Sequence, residues 1–341
     1  MRTLDQQFRQ FRHGTHWAVQ ASRLGLLFVT VVFGLLSVTG RMPELETQMV
    51  IYLVGMVALN LPHGGYEHFE NLRRRGLPFG ARYVLMYLSA IAGFVLLFFL
   101  TPVLALGLAF GTAVAKGGHG DLRAMDALVG SDHLRGRGRR VLAALVRGGA
   151  VITVPMVFWP ELYSSFSGFM ISVFDPSAAG PLLDRIEAAR LPLGGLYGLA
   201  VLAHLGLGYA TDGLSSSWLA DLGETGLLVA YFAVVPVVVS IGLYFPLWYS
   251  MRQSGRAVAV RDEDPAPALP VPVVWGVLIA GALATALLAT TLWVVAPNPL
   301  GTVGLLPGLV AFYTLFVCIV ALPHVVVGEW LDVDRGIWYV P

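Results

Sequence analysis

Residues 82–116 read RYVLMYLSAIAGFVLLFFLTPVLALGLAFGTAVAK, and no charged residue stands between Arg82 and Lys116. About 20 apolar residues are enough to cross the hydrocarbon core of a bilayer, so this run is too long for one crossing. Proline interrupts the hydrogen bonds of a helix, and Pro102 therefore divides the run in two. The stretch predicts two consecutive membrane helices, 82–99 and 102–116.

The composition of the whole chain agrees with a membrane protein. Apolar residues make up 56% of the 341 residues and charged residues only 13%, against about 25% in an ordinary soluble domain. The net charge of +1 argues against nucleic acid as a partner. The single cysteine, Cys318, excludes a disulfide within the chain. We therefore predict an integral protein whose surroundings are the lipid bilayer.

The apolar runs predict nine spans. They are 21–39, 48–63, 82–99, 102–116, 141–159, 193–211, 226–250, 271–296 and 303–327. A further segment, 161–175, is either a short or broken tenth span or an interfacial amphipathic helix. The predicted fold is an all-α, polytopic transmembrane bundle of nine or ten spans that forms one integral membrane domain over 1–341.

Arginine clusters predict the orientation, since short cytoplasmic loops are rich in Lys and Arg. Arginines before the first span place the N-terminus in the cytoplasm of a multi-pass protein of the cell membrane. Further inside loops are expected at 73–82, 123–147 and 252–261. An outside acidic loop with Asp212, Asp221 and Glu224 fits ten spans better than nine.

Four elements place ionisable or polar groups at the ends of predicted spans, where such groups are costly and are interpreted as functional. They are LPHGGYEH at 61–68, KGGHGD at 116–121, YFPLWYSMRQ at 244–253 and PHVVVGE at 323–329. Prolines precede His63 and His324 and constrain the backbone there. Each histidine has an alternative structural role, as a helix cap or as a donor to a freed carbonyl.

The other histidines receive different interpretations. His13, His16 and His133 stand in arginine-rich flanks and are expected to face solvent or lipid headgroups. His204 lies in an apolar span, where it forms either an interhelical hydrogen bond, the interpretation that we favour, or part of a pocket.

At the four elements the chain resembles the Brp/Blh family, bacteriorhodopsin-related membrane proteins that cleave beta-carotene centrally into two retinals. The family pattern G-L-P-H-G-A-x-D-H is similar to NLPHGGYEH at 60–68, and H-[FW]-G-x-x-D to KGGHGD at 116–121. Likewise Y-F-x-x-x-H-S-x-x-H is similar to YFPLWYSMRQ at 244–253, and P-H-x-x-x-x-[DE] to PHVVVGE at 323–329. The resemblance covers roughly 50–330.

The resemblance implies iron as a cofactor, because four histidines of the family bind an iron that activates dioxygen. Only His63 is retained at the four corresponding positions, while Lys116, Tyr249 and Gln253 replace the other histidines. Protonated lysine has no lone pair, glutamine is a poor iron ligand, and tyrosinate changes the redox behaviour of iron. We expect iron to be absent or weakly held at these positions.

A shifted iron site is an alternative. His63 together with Glu67, His119 and His324 offers imidazole nitrogens and a carboxylate, which resembles a facial triad. This compensating set requires His119 to reach back one helical turn towards the position of Lys116.

Lys116 is the only lysine of the chain and has two further interpretations. A lysine desolvated in an apolar pocket is held neutral and attacks aldehydes to form a Schiff base. Retinal is the aldehyde that the resemblance implies, with Glu67 or Asp121 as counter-ion. In the other interpretation Lys116 forms a salt bridge with Glu67 or Asp121 in a former metal cavity.

Three classes of function follow. The first is a protein of carotenoid and retinal metabolism that resembles the carotenoid-cleaving dioxygenase but has an altered or lost iron site. The second is a non-catalytic or repurposed binder of carotenoid or retinal. The third is a proton-coupled transporter with Glu67, Lys116 and Asp121 as the relay, although no inverted repeat is visible.

Overall fold

The computed structural model describes residues 2–59, 80–261, 271–301 and 303–331. All regular structure within these residues is helical, so the predicted all-α class is confirmed. In chain order the helices are α1 (Arg2–Val38), α2 (Leu45–Leu53) with the π-helical continuation Val54–Leu59, α3 (Ala81–Leu100), α4 (Pro102–Leu128), α5 (Arg137–Phe158), α6 (Pro160–Ser172), α7 (Ala179–Asp212), α8 (Ser216–Val234), α9 (Val237–Tyr244), the π-helical segment Phe245–Ser250, α10 (Met251–Arg261), α11 (Val271–Val295) and α12 (Leu305–Leu331).

Six helical stretches of the described residues are long and apolar enough to cross a bilayer. They are Trp17–Val38, Ala81–Leu100, Arg137–Phe158, Pro176–Asp212, Trp275–Val295 and Leu305–Leu322. These helices support a membrane protein, whereas the count of nine or ten spans stays a prediction. Helix α6 has 13 residues and is about 20 Å long, short of a hydrocarbon core of about 30 Å. Both interpretations of segment 161–175 therefore remain.

The predicted end of one span at residue 116 is wrong. Helix α4 continues to Leu128 and carries Lys116, His119 and Asp121 on one uninterrupted helix. The sequence prediction stopped where the apolar run stopped. Asp121 is polar but buried, so the change from apolar to polar residues does not mark the end of the helix or its exposure to solvent.

The predicted span 226–250 is also wrong, because the chain breaks between α8 and α9. Val235 has the extended angles φ −89° and ψ 127° ahead of Pro236. A proline ring disfavours the α conformation in the residue before it, which explains the position of the break. The Tyr231 hydroxyl donates to the Ser240 carbonyl at 2.9 Å and closes the gap in the backbone hydrogen bonds.

One compact unit comprises Met1–Gln48, Val114–Leu162 and Glu187–Pro265. In this unit α1 packs against α8, α10 and the π-helical segment, and α5 packs against α8. Helices α4 and α5 approach each other at two glycines. A Cβ on Gly118 would collide with the carbonyl oxygen of Ala144, and one on Gly148 with that of Val114. Small residues let helix backbones come close, which is how helices gain packing energy within a bilayer.

The other compact unit comprises Met49–Ala113, Tyr163–Ile186 and Ala266–Pro341. Here α3 packs against α12, and the Tyr87 hydroxyl donates to the Val320 carbonyl at 3.2 Å. The buried Tyr52 hydroxyl is hydrogen-bonded to the Thr314 hydroxyl. Because lipid offers no water to polar groups, these tyrosines find their partners on neighbouring helices.

Substitution of Gly118 tests the close contact between α4 and α5. Gly118→Ala places a Cβ against the backbone of Ala144, which cannot move aside like a flexible side chain. We expect a loss of about 1–3 kcal/mol in stability, as overpacking usually costs. Gly111→Ala on the same helix is the matched control, since nothing lies within 4 Å of its Cβ. Equal melting temperatures of the two purified variants would contradict the contact.

Candidate functional site

The third family-like element lies at the junction of α9, the π-helical segment and α10. Single π-helical turns are frequent at functional sites. Tyr249 and Gln253 both face Gly120 of α4, since a Cβ at Gly120 would lie 2.8 Å from the Tyr249 hydroxyl and 3.1 Å from Gln253 Nε2. Gln253 Nε2 donates to the Gly120 carbonyl at 2.7 Å. The structure therefore brings the second and third elements together.

Lys116 lies one helical turn before Gly120 on α4, and the two positions share a face. Its side chain is half-buried, and that of His119 is buried. Tyr249 and Gln253, two of the three residues predicted to replace family histidines, thus pack against the helix that carries the third, Lys116.

The first element, 61–68 with Glu67, lies outside the described residues, as do the side chains of 323–329. We expect His63 and His324 to meet Lys116, Tyr249 and Gln253 in one site, and this meeting stays a prediction. Among the side chains that are described, no group of three or more His, Cys, Asp or Glu is arranged to hold a metal ion.

Beside this contact lies a buried charge network centred on Arg147 of α5. Each nitrogen of its guanidinium binds a different carboxylate. Nε donates to Asp121 Oδ2 at 2.6 Å, Nη1 to Asp221 Oδ1 at 2.7 Å and Nη2 to Glu224 Oε2 at 2.5 Å. The Arg147 side chain is 0% exposed. Charge-assisted hydrogen bonds of this kind are the strong ones, and here they connect α4, α5 and α8.

Two further arginines complete the network. Arg252 of α10 makes a bidentate pair with Glu224, at 2.8 Å from Nη1 and 3.0 Å from Nη2. Its Nε lies 3.1 Å from Asp121 Oδ1, and its guanidinium carbon lies 4.3 Å from the centre of the Trp248 ring. Arg23 of α1 donates to Glu224 Oε1 at 2.7 Å and 2.9 Å. Three arginines thus balance three carboxylates.

Two histidines meet Asp221 in the same network, and one of them corrects the sequence interpretation. His133 was predicted to face solvent or headgroups, but it is fully buried. Its Nε2 lies 2.9 Å from Asp221 Oδ2 and its Nδ1 3.1 Å from the Ser217 hydroxyl. His204 Nε2 of α7 lies 2.8 Å from the same Asp221 oxygen on α8, so this histidine makes an interhelical contact with a buried carboxylate.

The network also overturns part of the topology argument. Asp221 and Glu224 are buried residues of α8 and do not form an outside acidic loop. Arg147 and Arg252 are fully buried and do not lie in cytoplasmic loops. The signal that sequence reasoning missed was local: Arg147 lies inside a predicted span, and Asp221 and Glu224, three apart, share a helix face.

Comparison with known proteins identifies the family. Residues 54–332 match the family described as beta-carotene 15,15'-dioxygenase. The chain belongs to this family. The resemblance inferred from the four elements is thereby confirmed.

Relatives extend the similarity over nearly the whole chain. The probable beta-carotene 15,15'-dioxygenase Brp of Halobacterium salinarum (strain ATCC 29341 / DSM 671 / R1) is 55% identical over 337 residues, which cover 94% of this chain and 93% of the relative. The probable beta-carotene 15,15'-dioxygenase Blh of Halobacterium salinarum (strain ATCC 700922 / JCM 11081 / NRC-1) is 30% identical over 328 residues, 93% of each chain. No solved structure matches this member of the beta-carotene 15,15'-dioxygenase family.

Removal of Arg147 tests how strongly this family member depends on the network. Arg147→Ala leaves Asp121, Asp221 and Glu224 buried without their shared cation, so we expect a loss of about 3–5 kcal/mol in stability. The control Arg190→Ala removes a pair with Glu187 on the surface of α7, where about 0–1 kcal/mol is expected. Thermal unfolding in detergent compares the two. An Arg147→Ala protein as stable as Arg190→Ala would contradict the central role of Arg147.

Proposed function

We propose that this chain acts in carotenoid and retinal metabolism as a cell-membrane protein that binds a carotenoid or retinal. Relative to the four-histidine set of its family, its iron site is altered or lost. We also propose that it is one integral domain of nine or ten spans with a cytoplasmic N-terminus. Family membership and the apolar helices support the membrane setting and the class of ligand.

The observation that carries the altered iron site is the hydrogen bond of Gln253. Its amide nitrogen donates to the Gly120 carbonyl at 2.7 Å, so this end of the side chain connects two helices. An amide nitrogen offers no lone pair to a metal. The amide oxygen lies 3.4 Å from Nη1 of Arg256, a cation that disfavours a metal ion beside it.

The residues at the other two replaced positions, Lys116 and Tyr249, also argue against an unaltered iron site. Lys116, half-buried on the same face of α4 as Gly120, brings positive charge to the side where a cation would bind. Tyr249 offers one phenolic oxygen in place of an imidazole. The described residues therefore do not fit the family's iron site, and the compensating set of His63, Glu67, His119 and His324 stays a second hypothesis for metal binding.

The transporter hypothesis has less support. Its relay needs Asp121 to take up and release protons, but both oxygens of this carboxylate face arginines. Oδ2 accepts from Arg147 at 2.6 Å, and Oδ1 lies 3.1 Å from Arg252 Nε. A proton relay through Asp121 would have to break these buried contacts with Arg147 and Arg252.

Metal analysis of protein purified from beta-carotene-producing cells tests the altered iron site. We expect iron well below one atom per chain and no retinal in the lipid extract, because three ligand positions lack imidazoles. The triple variant Lys116→His, Tyr249→His, Gln253→His is expected to raise the iron content. Inductively coupled plasma mass spectrometry measures iron, and chromatography of the extract measures retinal.

The matched control for the triple variant is Lys116→Gln, Tyr249→Phe, Gln253→Asn, which changes the same positions without adding imidazoles. It is expected to leave the iron content unchanged. Stoichiometric iron in the wild type, lost together with retinal formation in His63→Ala, would overturn the proposal and establish an active dioxygenase.

A second candidate function, covalent retinal binding, rests on the half-buried position of Lys116 on α4. An amine in such surroundings forms a Schiff base with an aldehyde when it is neutral. Of the two expected counter-ions, Glu67 would then face the positive charge of the protonated imine, because both oxygens of Asp121 are already engaged by Arg147, Trp248 and Arg252. In this alternative the protein carries retinal and does not produce it.

Borohydride trapping tests this candidate without a background from other lysines, since Lys116 is the only one. Purified protein is mixed with all-trans-retinal, and we expect a red-shifted absorption band and a reduced adduct on the peptide that contains Lys116. Lys116→Arg keeps the charge but cannot form the imine and serves as the control. Identical spectra of wild type and control, with no adduct, would exclude covalent binding.

A further inference from the structure

The charge network and the candidate site use neighbouring residues of the same two segments. On α4, Asp121 of the network follows Gly120, whose carbonyl accepts the hydrogen bond of Gln253. In the π-helical segment and α10, Trp248 and Arg252 face the network. Trp248 directly precedes Tyr249, and Arg252 directly precedes Gln253. Tyr249 and Gln253 are the two residues that pack on Gly120. The helical turns thus present two adjacent faces, one to the charges and one to the site.

Asp121 is the residue through which the two segments are joined. Its Oδ1 accepts from Trp248 Nε1 at 3.0 Å and lies 3.1 Å from Arg252 Nε. Its Oδ2 accepts from Arg147 Nε at 2.6 Å. Because both oxygens are engaged on different sides, the carboxylate cannot rotate without losing a buried contact. The position of Trp248 along α4 is fixed as a consequence.

We propose that Asp121, held by Arg147, is a positioning residue for the candidate site: it sets the rotation and register of Phe245–Arg261 on α4 so that Tyr249 and Gln253 meet Gly120. Asp121 acts through Trp248 and Arg252 and does not itself contact the ligand. This inference rests on the proposed function only in treating that contact as the ligand site.

The π-helical turn explains why such a device is needed. A π-helix has i to i+5 hydrogen bonds and therefore rotates the residues after it relative to an α-helix. The direction of Tyr249 and Gln253 depends on where this wider turn is held. The indole of Trp248, fixed at one end by Asp121 and covered by the Arg252 guanidinium at 4.3 Å, holds the turn in place.

Cysteine crosslinking measures this register directly. Lys116→Cys and Tyr249→Cys are introduced into full-length protein with Cys318→Ser, and a short bismaleimide joins the two thiols. Peptide mass spectrometry gives the crosslinked fraction of protein that elutes as a folded species. Asp121→Asn is expected to lower that fraction about tenfold, the effect on an equilibrium of losing one hydrogen bond to a charged group.

Asp126→Asn is the matched control. Asp126 also lies on α4 and pairs with Arg140 of α5, whereas Trp248 and Arg252 pair with Asp121. Its crosslinked fraction is expected to equal that of the parent. Asp121→Glu retains the carboxylate and is expected to recover part of the yield. If Asp121→Asn does not fold, Trp248→Phe removes one donor to Asp121 and is expected to lower the yield in the same direction.

Two outcomes would overturn the inference. One is an unchanged crosslinked fraction in folded Asp121→Asn or Trp248→Phe, which would leave Asp121 a purely stabilising residue. The other is an equal loss in Asp126→Asn, which would show a general loosening of α4 on α5. Binding of all-trans-retinal, followed by absorbance with all variants, reports the proposed function separately. If wild type binds no retinal, the proposed function loses its ligand, while the crosslinks still decide the role of Asp121.

Discussion

The buried guanidinium of Arg147 is the group on which the arrangement of the helices around it depends. Taking an ion out of water costs several kcal/mol, and the cost is recovered only when every charge has a well-placed partner. Arg147 meets this condition by giving one nitrogen to each of Asp121, Asp221 and Glu224. With Arg23 and Arg252 added, the network is balanced in charge and joins helices α1, α4, α5, α8 and α10. A shift of any one of these helices would leave a buried charge without its partner.

The motifs that resemble the family serve two purposes at once. In the second and third elements, Asp121, Trp248 and Arg252 belong to the charge network, whereas Lys116, Tyr249 and Gln253 are the residues predicted to replace family histidines. Each residue of the first group contacts at least two other residues of the network. Substitution of any one of them is therefore expected to lower the stability of the protein. In the second group, Tyr249 and Gln253 pack at Gly120, one helical turn after Lys116 on α4. The altered iron site that we propose therefore requires no change in the residues of the charge network.

Low dielectric surroundings explain why charged residues gave the least accurate sequence interpretations. Arginines were interpreted as markers of cytoplasmic loops and acids as markers of an outside loop, a rule that holds for solvated charges. Arg147, Arg252, Asp221 and Glu224 are instead buried together. A charge inside an apolar run is expensive and is therefore paired, and this principle applied to Arg147 would have indicated a partner. It would not have indicated which acidic residue is the partner of Arg147.

The sequence by itself determined the helical class, the membrane setting and the family, because run length, apolar composition and short motifs are properties of neighbouring residues. It also predicted the break at Pro102, but the predicted span 226–250 ran without a break across Val235 and Pro236. Only the tertiary structure decided that His133 is buried and that Asp121 meets Arg147 and Trp248. These contacts join residues 26 to 127 positions apart in the chain. Whether a charge lies in solvent or in a pair depends on the helix that packs beside it, and a single sequence does not specify that neighbour.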